Sequence, residues 1–247
     1  MRILATYNIK GGVGKTAAAV NLSYLAAREG LRTLVWDLDP QGAATYYFRI
    51  KPKIKGGGAG IVRGKRDLDD LIKGTDYEHL DLLPADFSYR HMDLVLDSAK
   101  KRTRNLLKRL VPLEEDYDYV FLDCPPSISL VSENVFCAAE ALLIPIIPTT
   151  LSLRTLEQLN AFVDDKKLKH IALLPFFSMV DRRKRLHRDI TETLPQERPD
   201  VLNTHIPYAS DVEQMGIHRA ALASFAGNSP SAHAYEELWQ EVKVRLG

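Results

Sequence analysis

Short, continuously apolar runs recur along the whole chain with helical stretches between them, and that alternation restricts the fold more than any other feature. The runs are Arg2–Tyr7, Arg32–Asp37, Leu80–Leu83, Tyr119–Asp123, Ala141–Ile147 and Ile171–Phe177, with a seventh near Val201–Ile206. They lack the alternation of a half-wetted strand and read as strands buried on both faces. Helical patterns fall at about 16–29, 88–110, 153–168 and 230–245. The last has a defined start: Ser229 at the cap, Pro230 at the first helical position, then Tyr235, Leu238, Trp239, Val242 and Leu246 on one face. This order predicts an α/β fold, a doubly wound and mostly parallel sheet covered on both sides. At 247 residues the chain suits a single domain over 1–247.

Two stretches interrupt the pattern. Residues 49–66, RIKPKIKGGGAGIVRGKR, hold seven basic residues and no acidic one, and their glycines predict a mobile surface loop or hairpin. Residues 182–188, RRKRLHR, place five Lys/Arg in seven positions directly after a strand. The net charge is only +1, so any binding of nucleic acid or membrane must use such local patches. Cys124 and Cys137 are the only cysteines and lie in apolar surroundings, as reduced thiols of a cytosolic protein would. No signal peptide is legible at the N-terminus, and no run approaches the roughly 18 apolar residues of a membrane span.

NIKGGVGKT, residues 8–16, follows the first strand and precedes the first helix. It departs from the pattern G-x-x-x-x-G-K-[ST], because Ile9 stands five residues before Gly14. The working end, Gly14-Lys15-Thr16, is kept, and Gly11, Gly12 and a second lysine, Lys10, are added. Glycine lets backbone N–H groups wrap a phosphate, and the helix N-terminus adds positive potential. Lys15 then neutralises the β- and γ-phosphates, and the Thr16 hydroxyl is a hard ligand for Mg²⁺. Asp123, at the carboxyl end of a buried strand, supplies the second acidic element such a loop requires. Asp37 and Asp39 form another candidate pair; one residue apart on extended chain, they point to opposite sides, so at most one faces the phosphates directly.

KGGVGKT at 10–16, DLDPQG at 37–42 and LDCPPS at 122–127 resemble, in order and spacing, the nucleotide motifs of the ParA/MinD family of deviant phosphate-loop ATPases. Further matches are IIPTTLSLR at 146–154, Met179-Val180-Asp181 and Ile206-Pro207. The resemblance covers nearly the whole chain and is greatest to the small ParA-type partition ATPases, which lack a separate N-terminal DNA-binding domain. It implies an ATP- and Mg²⁺-dependent dimerisation switch that hydrolyses ATP weakly until stimulated. Gly11, Gly12, Val13, Gly14, Lys15, Thr16 and Ala17 would hold the phosphates, with Met179, Asp181, Ile206 and Pro207 completing the nucleotide site. Lys10 corresponds to the family's lysine that reaches across a nucleotide-sandwiching homodimer. Asp39 corresponds to the water-positioning aspartate, and joins Thr16 and Asp123 around the metal.

The same resemblance implies non-specific DNA binding on the nucleoid and a ParB-like or other adaptor that triggers hydrolysis. Arg183 stands at a DNA-contacting position of the family, with Arg182, Lys184, Arg185 and Arg188 around it. A second such arginine is replaced by Asp211, for which Arg219 or the cluster Lys100, Lys101, Arg102 and Arg104 could compensate. Two alternatives stay open. One is a MinD-like membrane-associated ATPase, although the last helix carries Glu236, Glu237 and Glu241 on its polar face. The other is a metabolic ATP-dependent ligase or phosphotransferase on the same fold.

Overall fold

The computed structural model describes residues 1–247 throughout. In chain order the elements are β1 (Arg2–Thr6), α1 (Lys15–Arg28), β2 (Thr33–Asp37), α2 (Ala43–Tyr47), α3 (Gly57–Arg63), β3 (Lys73–Gly74), β4 (Leu80–Leu83), α4 (Met92–Asp97) and α5 (Asn105–Leu110). There follow β5 (Tyr119–Asp123), α6 (Leu130–Ala138), β6 (Ala141–Ile146), α7 (Thr150–Asp165), β7 (Ala172–Val180), α8 (Arg185–Glu197), β8 (His205–Pro207), α9 (Ser210–His218), α10 (Leu222–Phe225) and α11 (Pro230–Leu246). The strands form one eight-stranded sheet of order β3-β4-β2-β5-β1-β6-β7-β8. Only the two-residue β3 runs antiparallel.

The continuously apolar runs are explained by two cores. Ile3 and Ala5 of β1 enter one and Leu4 the other; Val120 and Leu122 of β5 enter the first and Phe121 the second. The first core carries α3 to α8, and the second carries α1 and α11 with residues of α2, α9 and α10. Helix α1 is buried on most of its circumference because it is rich in alanine and lies between the sheet and α11. Ser229 caps α11 by accepting from the Ala232 N–H, and Trp239 is 1% exposed, edge-on to Tyr119. The apolar face of α11 is therefore used by the sheet, and Val244 alone of its large apolar side chains is strongly exposed. No helix is long and apolar enough to cross a membrane.

Three expectations are corrected. Residues 49–66 are neither hairpin nor loose loop: Ile54, Ile61 and Val62 are buried, and α3 packs on Tyr89 and Met92. Gly58 permits that contact, since a Cβ there would sit 3.0 Å from Tyr89 Cδ1. The helix expected over 88–110 is broken into a 3₁₀ turn at Phe87–His91, then α4 and α5. Like charges at Lys100, Lys101, Arg102 and Arg104 disfavour helix between them, and the Asn134 side chain instead binds the Arg102 carbonyl and the Asn105 N–H. Near 201–206, only His205–Pro207 is strand, because the N–H groups of Asn203 and Thr204 donate to Glu241 of α11.

Helices α2, α6, α8, α9 and α10 passed unread. Helix α6 starts from a capping box of Ser129 and Ser132. Helix α8 begins inside the basic run at Arg185.

Candidate functional site

All the long strands point their carboxyl ends to one edge, and chain order across the sheet reverses around β1. Ligands of open α/β sheets bind at such a switch point, and residues 7–14 lie there. Asn8 fixes the loop: its Nδ2 donates to the Pro145 carbonyl at 2.8 Å, and its Oδ1 accepts from the Lys10 N–H at 2.9 Å. Tyr7 donates its hydroxyl to the Ser127 carbonyl at 2.9 Å. Gly14 sits at φ 95°, and a Cβ there would lie 2.8 Å from Ser178 Oγ on β7. Only glycine meets both demands.

The loop is a fan of donors. None of the backbone N–H groups from Gly11 to Ala17 donates to a protein acceptor, and the first helical bond runs from the Ala18 N–H to the Gly14 carbonyl. The N-terminus of α1 has neither a side-chain cap nor an acidic residue in its first turn. An uncapped 14-residue helix beneath free loop donors is built for an anion. Lys15 is 6% exposed, and its Nζ donates to the Lys10 carbonyl at 3.1 Å. Burial pulls its ammonium below the ordinary lysine range, opposed by the nearby Asp123 and Asp39. The Lys10 side chain, five residues back, is exposed.

Asp37, Asp123 and Thr6 form one row across three adjacent strands, because β2, β5 and β1 pair in register at these positions. All three are fully buried. Asp37 is completely bonded: Oδ2 accepts from the Thr45 N–H at 2.8 Å and its hydroxyl at 2.7 Å, and Oδ1 from the Asp39 N–H at 3.2 Å. Burial raises its carboxyl to about 6. Asp123 accepts one long bond, 3.3 Å from Thr6 Oγ1, and its Oδ2 has no partner. Burial first, then Asp37, pushes its carboxyl well up, against the pull of Thr16 and Lys15. A buried, unpartnered carboxylate oxygen beside a threonine hydroxyl and a lysine is a hard-cation site, and these residues fit Mg²⁺.

Asp39 is half-buried, with Oδ1 accepting from the Gln41 N–H at 2.9 Å. Of the aspartate pair it is the one free to face a ligand, since Asp37 is spent on Thr45. Thr45, Asn8, Thr6 and Ser178 were not singled out in the sequence, because each acts through a contact with a group from another element. Thr45→Val should leave the buried Asp37 carboxylate short of a donor and destabilise the fold by about 2 kcal/mol. Denaturant titration measures this; an unchanged midpoint would remove Thr45 from the site's support.

The other anticipated positions fall at the β7–β8 side. Met179 has φ 55°, Ile206 is buried, and Pro207 pairs with Val180. Asp181 is held by Arg183 in a bidentate pair at 2.9 and 3.0 Å, which lowers its carboxyl to about 2. Arg185 lies 3.6 Å from Asp189, and Arg188 donates to the Arg182 carbonyl; Lys184 precedes α8 at its cap. Arg219 is not brought to this group. Its Nε donates to the Tyr46 carbonyl at 3.0 Å, and its guanidinium lies over the Tyr46 ring, on the β2 side of the sheet. Asp211 accepts from Ser231 and belongs to the contact of α9 with α11. A surface cleft of ≈ 640 Å³ between Arg32, Asp81 and Tyr117 opens at the opposite, amino edge of the strands.

Comparison with known proteins bears on this site. Residues 1–173 match the family model AAA_31, described as an AAA domain. The sporulation initiation inhibitor protein Soj of Bacillus subtilis is 32% identical over 98% of both chains. The chromosome partitioning protein ParA of Myxococcus xanthus is 34% identical over 99% of this chain and 88% of its own. Among solved structures, cobyrinic acid a,c-diamide synthase of Mycobacterium smegmatis, with ADP and magnesium bound, superposes with TM-score 0.80 at 27% identity, covering 97% of this chain and 93% of that one.

Proposed function

The chain belongs to the family of ParA-type ATPases, and from that premise we propose that it is an ATP-hydrolysing dimerisation switch that partitions or positions a cargo along DNA. The observation that carries the proposal is the fan of free N–H groups from Gly11 to Ala17 above buried Lys15 and the unpartnered Asp123 oxygen. The fan and Lys15 hold the phosphates of ATP. Thr16 and Asp123 would hold Mg²⁺, which supplies neutralisation of phosphate charge when bound. Asp39, with one oxygen in its own turn and the other free, orients the attacking water and accepts its proton.

Lys10 completes the reading. Its carbonyl is used within the subunit by Lys15, while its exposed side chain makes no ion pair there. Donated to the phosphates of a second subunit, that ammonium stabilises charge developing in phosphoryl transfer and makes hydrolysis conditional on assembly. The ATP-bound dimer then binds DNA through basic surface residues, and an adaptor protein triggers hydrolysis and release. Lys10→Ala should retain nucleotide and lose at least about tenfold in turnover, while wild type goes from monomer with ADP to dimer with ATP and Mg²⁺. Light scattering with a phosphate-release assay tests both; normal turnover in Lys10→Ala would sink the proposal. The likeness to the diamide synthase favours a second reading, ATP-dependent amide formation, under which Lys10→Ala would turn over normally.

A further inference from the structure

The fold joins two basic segments that are 34 residues apart in the chain. Residues 49–66 and 100–109 contain thirteen Lys/Arg (seven and six) and no Asp or Glu. Helix α3, from the first, packs against α5, from the second. The Val62 carbonyl accepts from Asn105 Nδ2 at 3.0 Å and Arg109 at 3.3 Å. Asn134 of α6, fully buried, accepts from the Asn105 and Leu106 N–H groups and donates to the Arg102 carbonyl. The joint between the two segments is therefore built by buried amides rather than by chance approach of loops.

The charge on this face is unspent. Of the thirteen cations, only Arg49 and Arg102 form ion pairs, with Asp76 and Asp97. Arg63, Lys65, Arg104 and Lys108 are exposed and pair with no carboxylate. A groove of ≈ 440 Å³ beside α3 is lined by Gly56, Ala59, Gly60, Arg63, Lys65 and Arg66, three cations among residues too small to obstruct an approaching backbone. Among the carboxylates around it, Asp86 accepts from the Ile54 and Ser88 N–H groups, Asp93 from that of Val131, and Asp97 pairs with Arg102, while the exposed Asp67, Asp69 and Asp70 border the first segment just past Arg66. By contrast Arg183 and Arg185 of the 182–188 run are each opposed by a carboxylate.

We propose that the face formed by 49–66 and 100–109 binds the phosphate backbone of duplex nucleic acid and is the principal DNA surface of this protein. This rests on the DNA-dependent switch proposed above and places its contacts elsewhere than at 182–188. The apolar residues of the two segments argue for phosphate rather than protein: Ile54, Ile61, Val62 and Leu106 are buried, and Ile50 and Leu107 are half-buried against the two cores, so the face offers no fully exposed apolar anchor of the kind on which protein interfaces depend. Neither segment contains an aromatic residue on which unpaired bases could stack, which favours duplex over single strands.

Each phosphate neutralised contributes about 0.9 to the log–log salt slope. The quadruple variant Arg63→Glu, Lys65→Glu, Arg104→Glu, Lys108→Glu, all at exposed positions, should lower that slope by about 3.6 for each subunit in contact and weaken binding of ATP-loaded protein to a random-sequence 30-base-pair duplex by at least about 30-fold. The Gln quadruple should lose less, as expected of removed attraction without added repulsion. An unchanged unfolding midpoint is the control on folding in both. Wild-type affinity in the Glu quadruple, with loss only in Arg183→Glu, Arg185→Glu, overturns this assignment while leaving the switch intact. Failure of wild type to bind any duplex at low salt overturns both.

Discussion

Lys15→Ala is expected to abolish ATP binding, with affinity falling roughly a thousandfold while the protein remains folded. The side chain is buried beneath the donor fan, so each phosphate contact it makes is charge-assisted and shielded from water. Two such bonds at about 1.5–3 kcal/mol each remove some 4 kcal/mol or more, and every 1.4 kcal/mol is tenfold. Lys15→Met separates charge from packing, because it refills the volume of the stem without the ammonium. It should lose nucleotide equally but recover any stability lost by the alanine variant. Calorimetric titration with ATP and Mg²⁺ gives the affinity directly. Retention of near-wild-type affinity in either variant would mean that the backbone fan alone carries the phosphates.

Asp123→Asn should make the ligand-free protein more stable and the Mg²⁺–nucleotide complex far less so. The Asp123 carboxylate is fully buried with an unpartnered oxygen beside Asp37, an arrangement that costs stability until a cation neutralises it. The sign follows from linkage. Both carboxyls are raised in the fold, so the folded state binds protons more tightly than the unfolded chain, whose aspartates titrate near 3.9. Their stabilising contribution is complete below about pH 4 and is lost as pH rises through the folded values, about 6 for Asp37. At pH 7.5 the asparagine removes one buried charge, and about 2 kcal/mol corresponds to a rise of roughly 4–8 °C for a chain of this size. Added Mg²⁺ and ATP should raise the wild-type midpoint strongly and the variant's hardly at all. A lower midpoint in the variant, or an undiminished Mg²⁺ response, would remove Asp123 from the metal site.

The sheet and the phosphate loop were legible because their signals are local. A strand buried on both faces must be apolar at every position, and a chain turning around phosphate must be glycine, so β1, β2, β5 and residues 10–16 could be read residue by residue. Asp123 was legible from its place at a strand end. Its pairing with Asp37 was not, because it depends on the register between β2 and β5, which neither strand encodes alone. The break between α4 and α5 was hidden for a similar reason. Lys100–Arg104 reads as the exposed face of a helix until the side chain of Asn134, on a helix that was not recognised, takes over its backbone groups. The 182–188 run stood out by charge density, yet charge density does not show which cations already have partners.

Helix α1 has a consequence for where this site can be injured. Ala18, Ala19, Ala26 and Ala27 are each at most 3% exposed, so the helix is packed between the sheet and its helical neighbours through methyl groups with no slack around them. Larger side chains at these positions would lift or tilt the helix axis, and with it the direction in which the amides at its tip point. Substitutions there would touch no ligand and remove no charge, yet would blunt phosphate capture as surely as loss of a loop glycine. Sensitivity at this site should thus be inherited from steric clearance along the rod behind it, so that silent-looking alanines act as the sights by which the loop is aimed.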